Sequence, residues 1–113
     1  METKPEKAIK LEKEALAQIK ETTEGNAHLV SNLHANLGGL YRINGQTELA
    51  KEHMERGILL LEQYNLLYTN DSIPQLNNYA ALLTEMQEPE RAMSALQKLA
   101  QIIKDYNSDH CLD

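Results

Sequence analysis

The side chains able to do chemistry are few and scattered. Histidines stand at 28, 34, 53 and 110, a single cysteine at 111, and asparagines at 32, 36, 77 and 78. Nucleophilic catalysis or metal binding needs several such groups at short, regular spacing, and no HExxH, paired Cys, nucleophile elbow or Gly-rich phosphate loop occurs. The stretch "DHCLD" at 109 to 113 offers one imidazole and one thiol in an acidic terminus, which reads as a terminus before it reads as a metal site. We therefore expect no enzyme active site, no metal and no cofactor. The amides allow more. An Asn carboxamide carries donors and an acceptor together, so Asn32, Asn36, Asn77 and Asn78 could hold both the C=O and the N–H of an extended peptide regardless of its side chains.

Composition narrows the scaffold that must position them. The 113 residues suit one small domain, Phe and Trp are absent, and the apolar material is mostly straight-chain or small. Such residues lose little rotamer freedom in a helix, so an all-α fold is expected. The net charge of -6 argues against a nucleic acid or an anionic membrane as partner. Cys111 has no second cysteine to pair with, and "METKPEKAIKLEKEALAQ" lacks the apolar core of a signal peptide or a spanning segment. A soluble cytoplasmic protein is the expectation.

Apolar periodicity divides the chain into five helices. "PEKAIKLEKEALAQIKETT" carries Ala8, Ile9, Leu11, Ala15, Leu16 and Ile19 at helical spacing, with Gly25 as its stop. "NAHLVSNLHANLGGLYRI" follows, broken by "NGQT" through Gly45, which is free to take positive φ. A third helix begins with Thr47 as N-cap, and "TNDSIP" supplies a loop with Ser72 as cap of a fourth, "IPQLNNYAALLTEM". Pro89 opens the fifth, "PERAMSALQKLAQIIKDYN". Breaks are expected near residues 24, 45, 70 and 88.

A fixed period of 42 residues runs through these helices. It relates Glu6, Glu48 and Glu90; Ala8, Ala50 and Ala92; Ile19, Leu61 and Ile103; Leu40 and Leu82; Asn36 and Asn78; and the Tyr-Asn pairs at 64–65 and 106–107. Agreement of small, apolar and turn positions together points to one helix-turn-helix unit repeated, hence a right-handed α-solenoid. In this frame 1–113 is a single domain: 1–24 is the second helix of an incomplete repeat, 26–67 and 72–107 are full repeats, and 108–113 is a tail.

Leu37, Gly38, Tyr41, Gly45, Ala50 and Met54, echoed by Tyr79, Ala80, Leu83, Ala92 and Leu96, give the chain its resemblance to the tetratricopeptide repeat family. The length of the period resembles the long repeats of kinesin light chain and bacterial peptide-sensing proteins. His34 and Leu76 stand where the family has Trp, and Glu62 and Lys104 where it often has Pro. The resemblance implies that Gly38 faces Ala50 between paired helices, and that His34 is a half-buried packing residue. It also implies that helices two and four line a concave face, with Gly39 on its inner side. A protein or peptide partner would then meet Asn32, Asn36, Gly39, Arg42, Asn77, Asn78, Ala81 and Glu85, with Thr84 beside them. The basic clamp of chaperone-adaptor members is missing, because its positions hold Ala35 and Gly39.

The alternative function is a structural or self-associating segment of a longer array without a groove of its own. The repeat frame opens near Ser31 and Ile73, and its next unit would open just past the last residue. Apolar faces around Ile9, Leu16 and Ile102 or Ile103 are thus expected to lack neighbours, and a homo-oligomer through a terminal helix is the expected consequence.

Overall fold

The computed structural model describes residues 1–109 and is helical: α1 (Lys4–Ala17), α2 (Ala27–Ile43), α3 (Thr47–Gln63), α4 (Ser72–Glu85) and α5 (Pro89–Asp109), with no strand among the described residues. No described helix is long and apolar enough to cross a membrane. His110 and Cys111, named above as weak metal candidates, lie outside the described residues.

Local chemistry sets the helix ends. At the start of α1, Thr3 Oγ1 accepts the Glu6 N–H at 3.2 Å, and Pro5 occupies the first turn, where its missing N–H is no loss. The first helix ends at Ala17, well before Gly25. Past it, the Asn26 side chain accepts from the Thr23 N–H at 2.7 Å and donates to the Glu21 carbonyl at 2.9 Å, and the Tyr64 hydroxyl donates to the Thr22 carbonyl at 3.1 Å. These bonds give the backbone of a loop the partners that another helical turn would have given it.

Helix α5 opens at Pro89 as expected, but two other starts differ from expectation by one residue. Gln46, not Thr47, is the N-cap of α3, and Asp71, not Ser72, is the N-cap of α4. Ser72 is instead the first residue of α4. It is fully buried and donates its hydroxyl to the Thr69 carbonyl at 2.9 Å.

The 42-residue register recurs in the backbone of the turns. At the end of α2, the N–H groups of Asn44, Gly45 and Gln46 bond to the carbonyls of Leu40, Arg42 and Tyr41; at the end of α4, those of Met86, Gln87 and Glu88 bond to Leu82, Thr84 and Leu83. Gly45 has φ 79° and Gln87 has φ 60°, so one left-handed residue closes each helix. Glycine adopts this conformation freely, whereas glutamine is held there at a cost.

Packing follows chain order. Ser31 meets Gly57, His34 meets His53 and Gly38 meets Ala50, so α2 and α3 run antiparallel. A Cβ on Gly38 would lie 2.5 Å from Met54 Cγ, 3.2 Å from the Ala50 carbonyl oxygen and 3.3 Å from the Met54 nitrogen, which explains the glycine. Helix α1 packs on α2, α3 on α4 and α4 on α5, while α2 and α4 also touch. One apolar cluster joins Ile9, Leu37, Tyr41, Ala50, Met54 and Leu82; a second joins Ile58, Leu76, Leu99 and Ile102.

The expectation of open faces at both ends is corrected in part. Ile9 and Ile102 are buried, and Leu16 packs against the first cluster. Lying against α2, α1 has Ile9 and Leu16 covered, while Leu11 is exposed at 65%. Ile103 does remain exposed, at 39%.

Candidate functional site

Helices α2 and α4 present matching faces. On α2 the positions are Leu29, Asn32, Asn36, Gly39 and Ile43; 42 residues on, α4 has Asp71, Pro74, Asn78, Ala81 and Glu85. Spacings of three and four put each set on one side of its helix.

Three polar links join these helices: His28 Nδ1 meets Asp71 Oδ2 at 2.7 Å at the N-cap of α4, and two more lie further along. Near one end, Gln75 Nε2 donates to Asn32 Oδ1 at 3.2 Å and to Ser31 Oγ at 3.1 Å, while Ser31 donates to the Gly57 carbonyl at 2.8 Å. Ser31 and Gln75 are buried, so this network ties α2, α3 and α4 together through groups that water cannot satisfy instead. At the other end Arg42 grips Glu85 with two bonds, Nε to Oε2 at 3.1 Å and Nη2 to Oε1. The Arg42 hydrogen bonds hold the Glu85 carboxyl below its usual range. Arg42 and Glu85, expected as free flanking charges, are therefore presented as a closed pair.

Between the links the face is open. A Cβ added at Gly39 would meet nothing within 4 Å. Asn77, Asn78 and Ala81 are exposed, and neither asparagine side chain has a hydrogen-bond partner among the described residues. Asn36 differs from its counterpart Asn78. Its Nδ2 reaches Glu12 Oε1 of α1 at 3.5 Å, while Glu12 Oε2 is buried without a partner. The residue 42 positions after Glu12 is Met54, which has no carboxylate to offer.

Several polar constellations carried no sequence signal, because their members are far apart in the chain. His34 and His53 approach Nδ1 to Nδ1 at 3.0 Å, with their rings stacked, and Tyr41 stacks on His53. Burial, the His53 ring and Arg56 bring the His34 pKa down to about 4, so the stack is neutral at ordinary pH. Burial and Arg56 lower His53 in the same direction. On the far side of α4, the Tyr79 hydroxyl donates to Glu55 Oε2 at 2.6 Å, and Arg91 bonds to both. Burial, then the bond to Glu55, pushes the Tyr79 phenol above its ordinary range. It is a donor, not a base.

These arrangements hold helices together and place no nucleophile beside a base. Among the described residues no three His, Cys, Asp or Glu side chains are grouped to hold a metal ion. What the α2/α4 face can do is donate and accept hydrogen bonds at an open, small-residue surface. Comparison with protein-family models, curated proteins and solved structures finds no match to this chain.

Proposed function

We propose that the chain is a protein- or peptide-binding module, a right-handed α-solenoid of tetratricopeptide-repeat type, whose α2/α4 face holds an extended segment of a partner. The observation that carries the reading is the unpartnered, exposed pair Asn77 and Asn78 beside Ala81 and the open Gly39. Amides next to residues of minimal bulk let a foreign backbone approach closely and meet both a donor and an acceptor. Recognition of this kind reads the main chain. Sequence preference then comes from the ends of the face, where Leu29 and Ile43 are exposed at 54% and 73%.

Asn78 contributes more than Asn36 in this reading, since Asn36 already has Glu12 within reach. A partner isolated by pull-down and titrated calorimetrically should bind the Asn36→Ala, Asn78→Ala double variant about tenfold or more weakly, as a desolvated backbone group left unpaired costs about 1 to 3 kcal/mol. Asn78→Ala alone should cause most of the loss. Unchanged affinity with retained helicity would overturn the proposal.

A further inference from the structure

Helix α5 buries one side against its neighbours through Ala92, Ala95, Leu99 and Ile102. Its other side is apolar as well. Met93, Leu96 and Ile103 are exposed at 57%, 46% and 39%, with Ala100 exposed between them. Leu96, Ala100 and Ile103 follow Met54, Ile58 and Leu61 by 42 residues, and those three are buried at 5%, 6% and 0%, Ile58 in a cluster with Leu76 of α4. Helix α5 thus keeps the apolar stripe of its counterpart, and no described helix covers it.

The stripe alternates spacings of three and four, at 93, 96, 100 and 103, as the seam of a two-helix coiled coil does. Along one flank, at intervals of seven, lie Glu90, Gln97 and Lys104. The other cations of this helix are satisfied inside the molecule: Arg91 by Glu55 and Glu88, Lys98 by Glu62. Glu90 and Lys104 have no ion-pair partner among the described residues. Their order is self-complementary when two copies of the helix lie antiparallel.

We propose that α5 is a homodimerisation surface, on which a second copy of this chain lays its own α5 antiparallel. Leu96 of one copy then packs beside Ala100 of the other, and Met93 beside Ile103. Glu90 faces Lys104 of the second copy at both ends, and the two Gln97 side chains meet near the two-fold axis. This contact is closed, so assembly stops at two. It also leaves the α2/α4 face free, so the dimer would present two such faces.

Sedimentation equilibrium of the full chain over a concentration series tests the proposal. The expected result is a monomer–dimer equilibrium. Ile103→Glu and Leu96→Glu, both at exposed positions, should weaken dimerisation by roughly 100-fold or more with unchanged circular dichroism, since each places a carboxylate in the apolar seam. The charges report the orientation. Glu90→Lys or Lys104→Glu alone should weaken the dimer about tenfold or more, because each makes two like-charge contacts; the double swap should restore it, and mixing the two single variants should give a heterodimer. A chain that stays monomeric at millimolar concentration overturns the proposal, as does a charge swap that fails to restore association. Open-ended growth would also overturn it, showing a head-to-tail contact instead.

Discussion

The α2–α3 unit and the α4–α5 unit share a turn, a small-residue contact and a period, yet they are stabilised differently. In the first, Gly38 lets the helix backbones meet at Ala50, and Gly57 lets a buried serine reach its carbonyl. In the second, Ala80 replaces the first glycine and Leu99 replaces the second, so the interface is filled by carbon. The stacked His34 and His53 correspond to Leu76 and Ala95. The same backbone plan thus carries a polar, close-packed interface in one copy and an apolar one in the other. The room for bulk at Gly38 is taken by Ala50 and Met54 of its own unit, and at Gly57 by Ser31 and Gln75.

The largest effect expected from breaking this contrast is at Gly38. Gly38→Leu should destabilise by about 3 kcal/mol in urea denaturation, because its side chain meets the Ala50 carbonyl and the Met54 backbone, which cannot yield as a side-chain tip would. Gly39→Ala, one residue on and facing open space, should instead gain about 0.5 to 1 kcal/mol of helix propensity. Equal losses at the two glycines would show that Gly38 is not a close contact.

A smaller effect separates the units by pH. His34 titrates near 6.5 in an unfolded chain and near 4 when folded, so between these values the unfolded state binds more protons. Stability should be full above pH 6.5, fall as the pH drops towards 4, and lose no more from this group below that. With the ring only half-buried, the loss is on the order of 1 to 2 kcal/mol after allowance for solvent screening. Glu85 and Glu88 are held below 4.5 by Arg42 and Lys51, so they add their losses only at the acid end. Hydrogen exchange in this window should show the α2–α3 interface opening before α4–α5. A His34→Leu variant should flatten the slope; an unchanged slope would assign it to other groups.

The finest test concerns the two left-handed residues. Gln87→Gly should stabilise by about 0.5 to 1 kcal/mol, and Gly45→Ala should destabilise by about 1 kcal/mol, because both turns need positive φ and only one has glycine. Thermal melts of the two variants should shift in opposite directions. Shifts of the same sign would mean that the turns are not equivalent in energy.

Much of the architecture was legible in the residues. Helical spacing of apolar positions marked all five helices, the period of 42 was legible in small, apolar and turn positions, and Gly45 was readable as free to take positive φ. Gly38 opposite Ala50 came from the resemblance to the repeat family, and the close approach at Gly38 bears it out. The end of α1 was not readable. "QIKETT" has acceptable helix formers, and the loop wins through Asn26 and a tyrosine 42 residues beyond Thr22.

The matching Tyr-Asn pairs show the same limit. Asn65 takes φ 57° and ends α3, where Leu67 packs back against the second cluster; Asn107 lies inside α5, and the residue matching Leu67 is Asp109.

The candidate site divides along the same line. Its members were those the family resemblance implied, and helical spacing, which repeats directions every three or four residues, puts most of them on common faces. Tertiary structure alone decided which of them are free. Asn32 is engaged by Gln75, Arg42 by Glu85 and Asn36 by Glu12, whereas Asn77 and Asn78 are left exposed. A side chain's type is local information, but its partner lies 24 to 43 residues away in those three pairs. Only packing brings such distant groups within hydrogen-bond reach, so local pattern determined the helices, the period and the faces, and the fold determined which polar groups stay exposed and unpaired among the described residues.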